Sequence, residues 1–202
     1  TRQRERKARL LAAGTKLIGR DGFAAVRIDA VCGEAKLTKR YFYESFSNRE
    51  ELLVEAYRVA TSELMQSIMT AAAPYQDDPR QLVHAGIKQT FTFVHDNPDS
   101  ARLIMFEAMT LRGQMGRGHS ESYGEFVGVL VAFTKPFLPN DGPGDEVITV
   151  MAKGAIGALI HLSQGWIATD FKQPIAELVT GTERIFGGMG RELGISGWLQ
   201  KS

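Results

Sequence analysis

The spacing of the apolar residues is the feature that most restricts the fold of this chain. Along almost its whole length they recur at intervals of three and four, as Leu10, Ala13 and Leu17 do in the first segment. Such spacing places apolar side chains on one face of an α-helix. No convincing alternation with a period of two, which would indicate β-strands, accompanies it. The sequence therefore predicts an all-α fold with about nine helices.

Prolines and glycines mark where these helices end. All seven prolines lie between Pro74 and Pro174, and a proline interrupts a helix because it has no backbone N–H and a fixed φ. Gly22, after the first apolar stripe, is a typical helix stop. After four N-terminal helices, the segments between breaks predict further helices near 80–95, 99–111, 120–137, 143–169 and 173–193.

Two short helices near the N-terminus are separated by only a few residues. Ile28, Val31 and Cys32 share one face of the second predicted helix, and Thr38 can cap the third. About three residues around Lys36 join the two helices. This is the spacing of a helix-turn-helix, whose second helix enters the major groove of DNA with its N-terminus first.

The third predicted helix mixes aromatic and cationic residues in the stretch LTKRYFYESF, residues 37–46. Phe42 and Phe46 share a face, so we expect both in the core. Lys39, Arg40 and Tyr41 would then project from the first turn towards DNA, where an Arg guanidinium matches the O6 and N7 acceptors of guanine. The alternative is a helix with one buried Phe face and a polar face that is merely solvated.

The order of residues in VCGEAKLTKRYFYESFSNREELL, residues 31–53, resembles the N-terminal signature of the TetR family of transcriptional regulators. Upstream, LLAAGTKLIGRDGF, residues 10–23, is similar to the first helix of that family and its Gly-aromatic ending. The resemblance covers residues 6–60 and implies a DNA-binding helix-turn-helix followed by a helical body. The signature positions are filled by Val31, Cys32, Ala35, Leu37, Thr38, Tyr43, Phe46, Arg49, Glu50, Leu52 and Leu53.

The resemblance also implies which residues contact DNA. Lys39, Arg40 and Tyr41 would read or straddle bases, and Arg2, Arg4 and Arg6 are candidates for an arm along the duplex. Two positions depart from the family pattern. Lys36 replaces the usual Gly, so the turn must form with some strain, and Arg27 replaces a capping Ser or Thr but adds a cation that can reach a phosphate. The phosphate contacts implied are Thr38, Tyr43 and Arg49.

Charge is distributed unevenly along the chain. Residues 1–60 carry 13 Lys and Arg against 8 Asp and Glu, an excess of +5, whereas residues 61–202 carry 11 against 15, an excess of −4. A basic N-terminal part on an acidic remainder is expected if only the former meets nucleic acid.

Several classes of protein are disfavoured by composition. A single cysteine, Cys32, excludes a disulfide framework and a cysteine-rich zinc site. No pattern of His, Asp and Glu suggests a metal, so we predict neither metal nor cofactor. The N-terminal residues have no apolar h-region and no run of about 18 apolar residues was found, so we expect no signal peptide, no membrane span and a cytoplasmic location.

The C-terminal two-thirds is rich in Met and Phe, which makes an adaptable apolar interior. We predict that it lines an effector pocket, with His161 or Gln164 as the polar contact; the alternative is a plain filled core. The predicted lining residues are Phe91, Met105, Met109, Phe126, Leu130 and Trp166.

The last two predicted helices are the expected association surface. Gly154, Ala155, Gly157 and Ala158 permit close helix approach. A second apolar stripe is longer than one chain requires: Ile175, Leu178, Val179, Thr182, Ile185, Phe186 and Met189. Two copies would build a four-helix interface. We therefore predict a DNA-binding domain at 1–48 and an effector-binding and dimerisation domain at 49–202.

Taken together, these features predict a regulator that is not an enzyme: a homodimeric repressor released from a palindromic operator by a small, mostly apolar effector. A constitutive DNA-binding dimer without an effector is one alternative. An all-α enzyme or lipid carrier with an incidental basic N-terminus is the other, although no nucleophile–base pair or phosphate loop supports it.

Overall fold

The structure, a computed structural model, describes the backbone of residues 2–107 and 116–199. Every regular element in those two ranges is helical, so the predicted all-α fold is confirmed. The long helices are α1 (Arg2–Asp21), α4 (Arg49–Ala72), α5 (Pro79–Asp96), α7 (Gly116–Thr134), α8 (Asp145–Ala168) and α9 (Ile175–Glu192). The short ones are α2 (Ile28–Glu34), α3 (Lys39–Tyr43), α6 (Pro98–Arg102), which continues as a π-helical turn at Leu103–Glu107, and the single turn α10 (Ser196–Leu199).

Local signals in the sequence set the ends of these helices. Gly22 has a φ of 77° and stops α1, as predicted, because glycine reaches this region without steric cost. The Asn48 side-chain oxygen accepts the backbone N–H of Glu51 at 2.8 Å and so caps α4. Pro79 and Pro98 are the first residues of α5 and α6, where a missing N–H costs nothing.

The chain divides into two compact units, which are described separately. The first comprises residues 1–63 and 97–120, and the second comprises 64–96 and 121–202. These units do not coincide with the predicted boundary after residue 48, because the first half of α4 packs into the core of the first unit. The assignment of DNA binding to 1–48 and effector binding to 49–202 is a functional division and stays a prediction.

One apolar core holds α1 to α4 of the first unit together. Leu10 and Ile18 of α1, Phe42 of α3 and Leu52 of α4 are all at most 1% exposed within it. Cys32 is buried in the same core, and burial raises the pKa of its thiol, so this cysteine packs as a small apolar residue. The α6 segment belongs to this unit as well and packs along α1.

The second unit is built mainly from α5, α7, α8 and α9, with α9 packed on α5. Several residues of the predicted association stripe on α9 are buried inside this single chain: Leu178, Val179, Thr182 and Phe186. The stripe therefore serves the internal core first, and Ile185 is its clearly exposed large member.

Helix α8 is unusually apolar. Among the described helices it is the one long and apolar enough to cross a bilayer, judged by length and composition only. No such helix was predicted from the sequence. Such a helix is weak evidence for a membrane span. Only 22% of its most apolar stretch is buried, and its exposed residues include the polar Lys153 and His161.

Candidate functional site

Helix α3 divides sharply between buried and exposed residues. Phe42 is completely buried and packs on Phe46, with ring centroids 5.6 Å apart, so the predicted core positions of both are confirmed. The Arg40 side chain, by contrast, is 84% exposed. Two Phe anchors thus fix the orientation of a short helix whose other face is cationic.

The turn between α2 and α3 carries the strain expected of Lys36. Lys36 has a φ of 51°, in the left-handed region that glycine normally occupies. The backbone N–H of Leu37 donates to the Cys32 carbonyl at 2.9 Å and that of Lys36 to Gly33 at 3.1 Å, which is the Schellman pattern of a helix C-terminus. From α1, Arg9 donates to the Ala35 carbonyl at 2.6 Å and so holds the turn from outside.

The caps of α2 and α3 are only partly as predicted. Arg27 occupies the N-cap of α2 and makes no capping hydrogen bond, as expected for a residue without a short acceptor side chain. Thr38 occupies the N-cap of α3 with extended backbone, but its hydroxyl makes no capping hydrogen bond either, contrary to expectation. Thr38 is exposed, so water can satisfy the first amides of the helix in its place.

The cations of α3 are paired with carboxylates. Lys39 Nζ lies 2.7 Å from Asp29 Oδ1, and this hydrogen bond, with the attraction of the charge, raises the pKa of Lys39. Arg40 Nε donates to Glu44 Oε1 at 3.0 Å. Both pairs are exposed to solvent, where such pairs contribute about 0–1 kcal/mol and exchange easily for other anions.

Tyr43 and Arg49, the other predicted phosphate contacts, lie in different settings. Tyr43 is exposed, with its ring edge-on to Phe42 at 5.5 Å between centroids. Arg49 donates to the Val26 carbonyl at 3.1 Å, and its guanidinium lies 4.7 Å from the centre of the Phe23 ring. Arg49 therefore ties the start of α4 to the turn after α1, and its role at a phosphate stays a prediction.

The predicted basic arm is part of a helix. Arg2, Arg4 and Arg6 form the first turns of α1, because RQRERKARLL consists almost entirely of good helix formers. The Arg6 guanidinium stacks over the Tyr41 ring, 4.2 Å from its centre. The arm is therefore helical, Arg6 connects α1 to α3, and contact of these residues with the duplex stays a prediction.

The second unit contains an apolar cavity of about 100 Å³. Its walls come from α4, α5, α7, α8 and α9, and among the lining residues that the structure describes the one polar side chain is Thr90. The Thr90 hydroxyl already donates to the Gly86 carbonyl at 2.8 Å. The cavity is lined by Met65, Ile68, Ala72, Leu82, Val83, Gly86, Ile87, Thr90, Phe126, Val129, Leu130, Phe133, Ile156, Leu159 and Phe186.

Two of the predicted pocket residues, Phe126 and Leu130, line this cavity. Phe91 and Trp166 are buried instead in an edge-to-face contact, with centroids 5.9 Å apart. His161 is exposed on α8. Met105 is buried in the first unit, and Met109 lies outside the described residues.

The cavity walls from α4 and α5 were not predicted from the sequence. Met65 and Ile68 at the end of α4, with Leu82 and Ile87 of α5, line the cavity beside the predicted residues. Their helical spacing was a signal for burial but not for a cavity. In the described ranges, no group of three or more His, Cys, Asp or Glu side chains could hold a metal ion.

Comparison with known proteins supports the interpretation of the first unit. The family model for bacterial regulatory proteins of the tetR family matches residues 10–56, which include all of α2 and α3. The transcriptional activator FasR of Mycolicibacterium smegmatis is 26% identical to this chain over 100 residues. That match spans 50% of this chain and 45% of the relative, so the chain matches about half of that relative's length.

Solved structures of similar fold cover most of the chain. The fatty acid degradation regulator FadR from Bacillus halodurans superposes with a TM-score of 0.78 at 13% identity, over 89% of this chain and 93% of that one. FadR from Bacillus subtilis, solved in complex with stearoyl-CoA, superposes with a TM-score of 0.76 at 13% identity, over 94% of this chain and 98% of that one. These likenesses show the fold, and the match at residues 10–56 is more specific: this segment belongs to the tetR family of bacterial regulatory proteins.

Proposed function

We propose that this regulator is a homodimeric repressor that binds a palindromic operator through one α3 from each copy. A small, mostly apolar effector bound in the second unit would release it. The observation that carries the DNA-binding part is the division of α3 between a buried Phe42 and exposed Lys39 and Arg40. We expect a DNA-binding regulator of this kind to act in the cytoplasm.

The assignment of α3 is tested by selecting bound sequences from random duplexes and repeating the selection with Arg40→Ala. We expect loss of one base preference in each half-site, with a cost of about 1–3 kcal/mol, because a guanidinium fork reads one base pair. Arg58→Ala is the matched control, since Arg58 is also an exposed arginine paired with a carboxylate, Glu55, at 3.0 Å, but on α4. An unchanged preference in Arg40→Ala would refute the assignment.

The exposed face of α8 supports association of two copies. Val147 and Val150 are exposed there, and Gly154 and Gly157 continue the same stripe at helical spacing. A Cβ placed on either glycine would meet nothing within 4 Å inside this chain. Glycine destabilises a helix by about 1 kcal/mol relative to alanine. Close packing of a second copy against these positions would explain why glycine occupies them. We therefore propose that a second copy, rather than lipid, covers this face.

Sedimentation of the full chain tests the interface. Gly157→Leu fits the single chain, because the space beside Gly157 is open, but it would separate two closely packed α8 helices. We expect this variant to sediment as a monomer with unchanged helix content. Gly33→Leu, also at a helical glycine with open space, should leave the oligomeric state unchanged. A dimeric Gly157→Leu protein would contradict the proposed interface.

The cavity supports the effector part of the proposal. The one polar side chain among its described lining residues, Thr90, is already hydrogen-bonded, so the walls suit an apolar molecule or the apolar part of one. Its volume of about 100 Å³ is below the ~300 Å³ of typical ligand pockets. Binding must therefore enlarge it, which the half-buried Met65 and Phe126 can permit by changing rotamer.

The chemical class that we favour for the effector is a fatty acyl group. The B. subtilis FadR of similar fold was solved with stearoyl-CoA, and an acyl chain is narrow and apolar enough to enter a cavity of this kind. Helix α4 suits the transmission of binding, since Met65, Ile68 and Ala72 line the cavity whereas Leu52 and Leu53 belong to the first unit's core. The effector must bind the DNA-free form more tightly for release to follow.

The effector is tested by titrating the operator complex with acyl-CoA thioesters of increasing chain length. We expect acyl-CoA to release the wild-type protein from the operator. Gly86→Leu should abolish this release, because Gly86 lies in the cavity wall and a leucine side chain there would fill the cavity. Lys88→Leu places the same side chain on the exposed side of α5 and should respond like the wild type. Release by no compound would favour the constitutive regulator. A reporter gene then distinguishes repression from activation, the activity named for the M. smegmatis relative.

A further inference from the structure

One carboxylate contacts two arginines on the cationic side of the first unit. Glu44 Oε1 accepts from Arg40 Nε at 3.0 Å, and Glu44 Oε2 lies 3.5 Å from Arg6 Nη1. Glu44 is the C-cap residue of α3, and Arg6 is on α1. The two oxygens thus connect two helices, each through a separate cation.

An aromatic ring completes this connection. The Arg6 guanidinium that faces Glu44 also stacks over Tyr41 at 4.2 Å from the ring centre. Arg6 therefore contacts two residues of the α3 segment, one by charge and one by stacking. The arrangement fixes where the Glu44 carboxylate stands relative to Arg40.

The hydrogen bond from Arg40 Nε to Glu44 leaves the two terminal nitrogens of the guanidinium available for a base. A guanidinium has five N–H donors, and the four on its two terminal nitrogens are the ones that can form a fork towards guanine O6 and N7. Glu44 holds the opposite edge, Nε, and the Arg40 side chain is 84% exposed beyond it. The carboxylate therefore orients the fork while leaving it free.

The Glu44 carboxylate also weakens contacts with DNA phosphates, which carry no sequence information. Binding to random DNA depends on cations that neutralise phosphates, and Arg40 and Arg6 can do so fully only by giving up or sharing their bond to Glu44. A negative charge beside the duplex is also repelled by the backbone. Binding through Arg40 to a base, however, keeps the Nε–Glu44 bond intact.

We propose that Glu44 is a positioning residue that sets DNA specificity: it orients Arg40 for base recognition and weakens binding through phosphates alone. This inference rests on the proposed role of α3 and adds a residue that no cation-based argument would include. The predicted effect of Glu44→Gln is a two- to fivefold tighter binding to random duplex, equal to about 0.4–1 kcal/mol, which lies within the range of exposed ion pairs. Binding to the selected operator should gain less, so the ratio of the two affinities falls.

The chain contains a matched control for this change. Glu55, on α4, also bridges an α1 cation and one on its own helix: it lies 3.3 Å from Lys7 Nζ and 3.0 Å from Arg58. Glu55→Gln removes the same charge from the same unit but leaves α3 as it is. We expect it to change both affinities by the same factor. Glu44→Asp keeps the charge on a shorter side chain, so random binding should stay weak while the base preference at the Arg40 position broadens.

The experiment measures the affinity of each full-length variant for the selected duplex and for a scrambled duplex of equal composition, over a series of salt concentrations. Thermal unfolding checks that each variant is folded. Equal affinity ratios for Glu44→Gln and Glu55→Gln would overturn the inference even if Arg40→Ala loses its base preference, and the proposed function would then survive. Failure of the wild type to select any duplex would instead remove the proposed function itself.

Discussion

The contact between α1 and α6 gives the sharpest prediction for stability. Gly19 is buried on α1, and a Cβ built on it would lie 2.5 Å from both the Cα and the carbonyl oxygen of Asp99. These are backbone atoms, which cannot turn away as the end of a flexible side chain can. Gly19→Ala must therefore displace α6 from α1.

The size of the effect follows from two opposing terms. Overpacking a close contact typically costs about 1–3 kcal/mol, whereas Ala in place of Gly gains up to ~1 kcal/mol of helix propensity. We expect Gly19→Ala to lower the free energy of unfolding by about 1–2 kcal/mol. Gly33→Ala is the control, because its Cβ would meet nothing within 4 Å. Its propensity term acts alone, so the control should be as stable as the wild type or more stable.

Urea unfolding followed by far-UV circular dichroism measures both variants. Both tryptophans, Trp166 and Trp198, belong to the second unit, so tryptophan fluorescence reports on that unit. If Gly19→Ala lowers the urea midpoint measured by dichroism more than the midpoint measured by fluorescence, the loss of stability lies in the first unit. A Gly19→Ala protein as stable as Gly33→Ala would show that the α1–α6 contact is not as close as described.

Two further predictions concern strain and charge in the first unit. Lys36→Gly should raise the unfolding free energy by up to about 1 kcal/mol in urea titrations, because a φ of 51° is strained for lysine and the greater freedom of glycine in the unfolded chain offsets part of the gain. Gly22→Ala should lower the free energy of unfolding, because alanine is strained at the φ of 77° found there. Hydrogen bonding to Arg58 lowers the pKa of Glu55 below its ordinary 4.5, so its contribution is present above pH 4.5 and is lost as the pH falls through the lower native pKa. Unfolding midpoints measured from pH 6 to pH 3 should therefore fall less steeply for Glu55→Gln than for the wild type, and equal slopes would contradict the assignment.

The sequence alone determined the features that depend on near neighbours in the chain. The helical periods, the stop at Gly22, the buried Phe42 and Phe46 and the strained Lys36 all follow from spacing and side-chain type within a few residues. The resemblance to the TetR family belongs here too, because the signature lies within one continuous stretch, residues 31–53. Such local patterns need no knowledge of what packs against them.

The tertiary structure decided the features that join distant residues. Arg9 at the Ala35 carbonyl, Asp99 against Gly19, the Glu44 bridge to Arg6 and the cavity walls from α4 and α5 each connect separate helices. Periodicity shows that a helix has an apolar face but not which face it meets, which is why the α9 stripe was assigned to a partner although much of it fills the chain's own core. Pairing of faces depends on how several helices fit together in three dimensions, and that information is not contained in the pattern of any one of them.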